Sequence, residues 1–293
     1  MERGELLNPS LVAELRRVEI RTRRSIDTDL MGKYRSAFRG TGLIFSDLRE
    51  YQPGDDVRHI HWKVTARTGK PYIKTFDEDR QLNVIIAVDI SNSTNTGAPR
   101  TRHRKALEFA ALVSMLGNRN QDAVGLCLFS DTVEDFFPVK RNRTQFQQII
   151  AALLRQRALT PRTSIKAALN FLLKHQRKRA VIFVLSDFFC DSFEEELRRL
   201  AFRNDVIGVL LADTHEESVP QAGIVQFLDA ESGEHLLIDT SSRRARAALE
   251  RIMLERRHKI AASFQSAGGD FIEIRDNVLR PLADLMKQRT KRH

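Results

Sequence analysis

The stretch Asp89-Ile90-Ser91-Asn92-Ser93 sets one carboxylate and two hydroxyls at alternate positions. Oxygen donors of this kind suit a hard cation such as Mg²⁺, which prefers octahedral geometry and keeps several waters. The cluster follows directly on the apolar run Val84-Ile85-Ile86-Ala87-Val88, so it stands where a buried strand ends and its loop begins. Two further donors occupy comparable places. Val184-Leu185-Ser186-Asp187 puts Asp187 at the end of another apolar strand, and Thr160-Pro161-Arg162-Thr163-Ser164 brings Thr163 to the start of a helix. The expected metal ligands are therefore Asp89, Ser91, Ser93, Thr163 and Asp187, with Mg²⁺ as the ion and Mn²⁺ or Ca²⁺ as alternatives. Two carboxylates and three neutral hydroxyls leave a cation with unneutralised charge and an open position. A carboxylate from another protein fits that position, which favours a binding site over a closed structural centre.

Other residues offer weaker chemistry. His59 and His61 are two apart and would share a face if they lay on a strand, but no third ligand accompanies them. Ser186, His175 and Asp187 make a triad on paper, without the G-x-S-x-G turn that presents a nucleophile. Cys190 lies near a helix start, where a thiolate is favoured, yet reads better as a small packed residue. Glu194-Glu195-Glu196 opens a helix, where negative charge is favourable without any function. Arg49, Tyr51, Asp55, Arg58, Trp62 and Arg67 form a dense polar and aromatic group, read as a network docking this segment onto the sheet. Neither G-x-G-x-x-G nor G-x-x-x-x-G-K-[ST] occurs, so nucleotide binding has little support.

The elements that must position the donors alternate from residue 83 onward. Strands are expected over 83–90, 123–129, 133–139, 180–185, 206–212 and 271–274, the second and third pairing as a hairpin. Helices are expected over 104–116, 144–155, 164–175, 193–202, 243–266 and 278–289. A further hairpin, 224–228 with 235–238, flanks Glu231-Ser232-Gly233-Glu234. Such alternation implies an α/β fold with a doubly wound, mostly parallel sheet and helices on both faces. Ligands in open sheets of this kind sit at the carboxyl ends of the strands, near the point where strand order reverses. Upstream, residues 9–25 place Leu11, Leu15 and Val18 at helical spacing. Residues 26–80 differ in texture, with a turn at Pro53-Gly54-Asp55 and a strand over 71–76. Two units are expected: a smaller N-terminal segment with strands, 1–80, packing on a main domain, 81–293.

The totals bound the remaining possibilities. Apolar residues make up 42% of 293, enough for a sizeable core. No apolar run approaches the roughly 20 residues of a membrane-spanning helix. Met1-Glu2-Arg3-Gly4-Glu5 lacks the apolar core of a signal peptide. Cys127 and Cys190 show no C-x-x-C spacing, so a reduced, cytoplasmic protein is expected. The formal charge of +10 admits an acidic partner, whether nucleic acid, an anionic membrane surface or an acidic protein. The basic clusters near 21–24, 100–105, 140–143, 174–179 and 287–292 are scattered, and no aromatics are interleaved to stack on bases. They read as solvated helix ends and loops. No nucleic-acid partner is expected, and peripheral membrane association stays open.

The D-x-S-x-S, the Thr before a helix and the strand-terminal Asp together resemble the metal-ion-dependent adhesion site of von Willebrand factor A domains. The upstream stretch from Phe45-Ser46-Asp47 through Pro53-Gly54-Asp55-Asp56-Val57-Arg58-His59-Ile60-His61-Trp62, with Thr65-Ala66-Arg67, is similar to the bacterial family called domain of unknown function 58. The resemblance spans roughly residues 35–215. It implies a von Willebrand factor A-like fold and a non-enzymatic, metal-dependent interaction module. It further implies a MoxR-type AAA+ ATPase, or a client shared with one, as the partner offering an acidic side chain, in the assembly or maturation of protein complexes. Four positions depart from the usual pattern. Asn92 stands where the motif has Gly, Pro161-Arg162 where Gly-Gly precedes the Thr, and His61 where the family has Asp. Two alternatives remain at this point. A metal-dependent phosphoesterase or nuclease would need a general base beside the metal, and a basic nucleic-acid-binding module rests on net charge alone.

Overall fold

Residues 83–89 are apolar from Val84 to Val88, and the strand they form, β3 (Asn83–Asp89), is buried from Val84 to its end. Alternate side chains of a strand point to opposite faces. A strand that is apolar throughout therefore needs cover on both sides. The computed structural model, which describes residues 9–38, 42–79, 81–91, 102–156, 163–190, 192–212, 223–228 and 235–292, supplies that cover. β3 joins β4 (Ala123–Phe129), β5 (Val133–Lys140), β6 (Val181–Ser186), β7 (Asp205–Leu211) and β10 (Asp270–Ile274) in a six-stranded sheet of order β10-β7-β6-β3-β4-β5. Every pairing is parallel except that of β4 with the edge strand β5.

The two faces bury different partners. Val84, Ile86 and Val88, with Leu126, Phe183 and Val209, pack under α4 (Arg102–Arg119), α5 (Arg143–Arg155) and α9 (Leu279–Arg292). Ile85 and Ala87, with Cys127, Val184 and Leu210, pack under α6 (Ile165–His175), α7 (Glu194–Ala201) and α8 (Arg243–Ser266). This is the doubly wound α/β architecture expected from the alternation. The chain leaves β3 for β4 on one side and leaves β6 for β7 on the other, so strand order reverses between β3 and β6. Val88 pairs with Leu185, so these two strands end level with each other. That edge is the switch point at which such sheets bind ligands.

The N-terminal helices belong to the first core. Asp27 caps α2 (Thr28–Ala37) by accepting from the Leu30 N–H. Val18 of α1 (Pro9–Ser25), Ile26, and Leu30 and Tyr34 of α2 are buried in the same cluster as the sheet. The Tyr34 hydroxyl donates to Asp122 at 2.9 Å, and the other carboxylate oxygen of Asp122 accepts from the Leu82 N–H at 2.9 Å. α2 also packs on α9. From α9, Arg289 pairs with Asp205 and Asp270 and stands 5.0 Å over the Phe38 ring. Asp205 and Asp270 begin β7 and β10, so this half-buried cluster, centred on the buried Arg289, closes the sheet edge opposite the switch point.

Between α2 and β3 the structure adds elements beyond the expected strand at 71–76. β1 (Gly42–Glu50) pairs antiparallel with β2 (Tyr72–Asp79), and the link between them carries a 3₁₀ turn, Val57–His59, and a short helix, α3 (Trp62–Thr68). α3 buries none of its residues, so it lacks the apolar stripe that reveals a helix in sequence. Arg49 and Asp55 pair at 2.7 and 2.6 Å, and Asp55 also accepts from the Gln52 N–H at 2.9 Å. Arg58 pairs with Asp56, so these contacts stay within the hairpin and its link. His59 and His61 lie on no strand, so the shared face that a strand would give them does not form. His59 lies in the 3₁₀ turn, and His61 caps α3, its Nδ1 accepting from the Val64 N–H at 3.3 Å. A helix start needs an acceptor at this position, and Asp and His can both provide one.

The expected second hairpin forms from β8 (Ile224–Leu228) and β9 (His235–Asp239), and its turn, Glu231-Ser232-Gly233-Glu234, lies outside the described residues. No described helix is long and apolar enough to cross a membrane. Packing is close where α8 crosses β7. A Cβ added at Gly208 would stand 2.7 Å from the Phe264 ring, which is fully buried beside Phe188, Phe193 and Phe271. Gly208→Ala is therefore expected to lower stability by about 1–3 kcal/mol. Urea denaturation checks this, and an unchanged midpoint would contradict the close approach.

Candidate functional site

β3 ends at Asp89 and β6 at Ser186, with Asp187 next in the chain. These three residues and Ser91 are each no more than 2% exposed. Asp89 collects the surrounding donors. The Ser91 N–H donates to Asp89 Oδ1 at 2.9 Å, and the Ser186 hydroxyl donates to Oδ2 at 2.6 Å. Thr163 donates to the Ser91 hydroxyl oxygen at 2.8 Å and stands 3.5 Å from Asp89 Oδ1. Ser164, the next residue, caps α6 through the Ala167 N–H, and its own N–H is held by the Ser130 carbonyl at 2.7 Å. The capping task thus falls to Ser164, and Thr163 turns toward Asp89. Of the five sequence-derived donors, Asp89, Ser91 and Thr163 are joined by hydrogen bonds, and Asp187 adjoins them through Ser186. Ser93 lies outside the described residues, as do Asn92 and Pro161-Arg162.

The loop after Asp187 is built under constraint. Asp187 Oδ1 accepts from the Phe189 N–H at 3.0 Å, and the Ser186 hydroxyl oxygen accepts from the Phe188 N–H at 2.9 Å. Phe188 sits at φ 58°, a left-handed conformation uncommon for a residue with a Cβ. Its ring is buried against Phe193, Phe264 and Phe271, which holds the backbone there. Arg256 of α8 adds a second anchor. Its guanidinium donates to the Phe188 carbonyl and stacks 3.2 Å over the Phe189 ring. Asp187 Oδ2 stands 3.3 Å from Arg102 Nη1, yet this buried oxygen accepts no hydrogen bond.

Burial and then the neighbouring Asp187 push the Asp89 carboxyl up to about 6, against the hydrogen bonds from Ser186 and Ser91 that favour its ionised form. Two carboxylates sharing a water-poor edge, one with a buried oxygen that accepts no hydrogen bond, make a donor set that fits a hard cation. Among the described residues no three His, Cys, Asp or Glu side chains converge, so any cation here would rely on hydroxyls beside the two carboxylates.

The other candidates resolve differently. His175 ends α6, on the side of the sheet where β6 begins, with its ring stacked on Phe171 at 3.9 Å and its Nδ1 2.8 Å from the Phe171 carbonyl. Ser186 closes β6 roughly 16 Å away along the strand, at about 3.3 Å per residue. The paper triad is therefore not assembled. Burial pushes the Cys190 thiol up to about 12, which disfavours a reactive thiolate. Sequence reasoning left out Ser186 as a partner of Asp89 and Arg102 as a partner of Asp187. Ser186 carried a signal, since it ends a strand beside the β3 terminus. Arg102 carried one too: Arg102 and Lys105 put basic residues in the first turn of a helix, where the helix dipole disfavours them.

The raised Asp89 carboxyl fixes the sign of a pH effect. The fold favours the protonated form, so this residue's contribution is fully favourable below about pH 4 and is lost as pH rises through about 6. In chelator, Asp89→Asn should gain on the wild type by roughly 2 kcal/mol between pH 4 and pH 7. Denaturant titrations across that range measure the difference. A gap that stays constant with pH would show that Asp89 is not held in this way.

Residues 47–259 match the family described as "Protein of unknown function DUF58". Uncharacterized proteins of Mycobacterium tuberculosis and Mycobacterium bovis are each 30% identical over 237 residues, which cover 80% of this chain and 75% of theirs. Among solved structures, an aerotolerance-related membrane protein from Bacteroides fragilis is 17% identical at a TM-score of 0.46, covering 72% of this chain and 100% of that one. BatB from Bacteroides thetaiotaomicron is 16% identical at 0.43, covering 72% and 99%. The SpRpn10 VWA domain is 18% identical at 0.36, covering 71% and 95%. With most of its length inside the family match, and a hairpin and switch-point edge built from the residues that carry the resemblance, the chain belongs to the DUF58 family.

Proposed function

We propose that this protein is a non-enzymatic, metal-dependent protein–protein interaction module. Asp89, Ser91, Ser93, Thr163 and Asp187 would hold the cation, Mg²⁺ or the related Mn²⁺ or Ca²⁺. The observation that carries the reading is the pair of buried carboxylates at the switch point, with serine and threonine hydroxyls drawn to one of them and an oxygen of the other accepting no hydrogen bond. Mg²⁺ bound there would supply a positively charged open position for a partner's acidic side chain. The chain's own residues prepare the place. β3 and β6 end side by side, with Asp89 level with Ser186 and Asp187 one residue beyond, Ser186 donates to Asp89, and Thr163 is half-buried.

On the family resemblance, the partner is a MoxR-type AAA+ ATPase or a client shared with it, in the assembly or maturation of protein complexes. A cytoplasmic location accords with that partner. The phosphoesterase or nuclease alternative gains no specific observation, because His175, the base of the paper triad, is engaged at the opposite edge of the sheet. The nucleic-acid alternative still rests on net charge alone.

Two measurements test the proposal. Immobilised protein should retain the ATPase in Mg²⁺, with binding falling roughly tenfold or more in EDTA or in Asp89→Ala. Undiminished binding by the variant would sink the metal-bridged contact. Mg²⁺ should also raise the wild-type melting temperature in a concentration-dependent way, as any ligand of the folded state does. The same titration should leave Asp89→Ala unmoved, and an equal rise in both proteins would place the ion elsewhere.

A further inference from the structure

Arg102 opens α4 with a side chain only 5% exposed. A buried cation at a helix N-terminus is doubly disfavoured, by desolvation and by the positive end of the helix dipole. The surroundings compensate it. Its Nε donates to the Leu211 carbonyl at 3.2 Å, at the end of β7, and its Nη1 stands 3.3 Å from Asp187 Oδ2, at the end of β6. Lys105, one turn on and also buried, donates to the Ala212 carbonyl at 2.5 Å. The first turn of α4 is thus tied across the carboxyl ends of two strands, and one of its charges faces the carboxylate edge.

The contact with Asp187 is a charge contact without a hydrogen bond, so Oδ2 keeps its lone pairs for another acceptor role. Ion pairs of Arg with carboxylates are commonly two-pronged. Here the fork is divided, with Nε committed to the Leu211 carbonyl. The guanidinium is near enough to offset the carboxylate and is anchored by another group.

We propose that Arg102 is the standing counter-cation of the site: it compensates Asp187 in the metal-free protein and competes with a divalent cation for that carboxylate. The competing half rests on the Mg²⁺ reading above, and the counter-ion half does not. With both carboxylates ionised, Asp89, Asp187 and Arg102 together carry one formal negative charge, so a divalent cation turns the cluster to one positive charge. That excess favours an acidic group from a partner. Arg102 therefore weakens the hold on the metal and, in the loaded site, strengthens the pull on the partner's carboxylate.

The test uses the full chain as wild type, Arg102→Met, Asp187→Asn and the double variant, melted in EDTA and across a MgCl₂ titration. In EDTA, Arg102→Met should melt on the order of 10 °C lower, because it leaves a buried carboxylate uncompensated. Adding Asp187→Asn to it should recover a large part of that loss. In MgCl₂, Arg102→Met should respond at an ion concentration roughly tenfold lower than the wild type. If Arg102→Met does not accumulate folded, Arg102→Lys serves in its place; it keeps the charge but loses the Nε anchor, and its Asp187 coupling should be weaker than the wild type's. Additive effects of the two substitutions in EDTA would overturn the counter-ion role. A Mg²⁺ response that Arg102→Met does not strengthen would overturn the competition while leaving the metal site intact. No Mg²⁺ response in either protein would remove the metal reading and the competition with it, and the EDTA cycle would still decide the ion pair.

Discussion

A carboxylate taken out of water must find hydrogen bonds, a cation or a proton. Asp89 and Asp187 face that requirement side by side, at the ends of two adjacent strands whose side chains are buried on both faces. Much of the local structure answers it. Ser186, Ser91 and Thr163 turn their polar groups toward Asp89, the Phe189 N–H caps one oxygen of Asp187, and Arg102 approaches the other. What compensation remains incomplete shows in the raised Asp89 carboxyl and in the Asp187 oxygen that accepts no hydrogen bond.

The strain next to Asp187 follows from the same demand. For the Phe189 N–H to reach Asp187, the chain turns through a left-handed phenylalanine. An aromatic cluster built largely from α8 and its neighbours holds that turn, and Arg256 clamps its carbonyl. Gly208 lets Phe264 come close enough to complete the cluster. The opposite edge of the sheet handles charge by a different rule. There Arg289 meets Asp205 and Asp270 in well-formed pairs, which close the core. The contrast between a saturated edge and an unsaturated one distinguishes the candidate site from ordinary structural ion pairing.

Much of the fold was legible because its strands and helices are long and strongly patterned. The apolar runs ending at Asp89 and Asp187 announced parallel strands, and α6 and α8 appear within a residue or two of their expected spans. α2, α3 and β1 were not legible. α3 exposes all its side chains to some degree, so no apolar period marks it. The histidine pair's setting stayed open for a related reason: spacing alone cannot separate a strand from a turn followed by a cap, and the capping bond of His61 depends on where the chain bends.

The sequence by itself determined which oxygen donors end which strands, because burial patterns are written residue by residue. It also determined the family, through the residues from 45 to 67 together with the strand-end motif. Only the tertiary structure decided that Ser186 serves Asp89, that Ser164 frees Thr163 by taking the cap, and that a guanidinium from α4 stands at Asp187. The first and the last of these contacts join residues whose meeting depends on strand order and crossover, and neither is encoded in local spacing. Asp89 and Ser186 meet because strand order reverses between β3 and β6, and Arg102 meets Asp187 because the crossover from β3 starts its helix over the strands on the other side of that reversal.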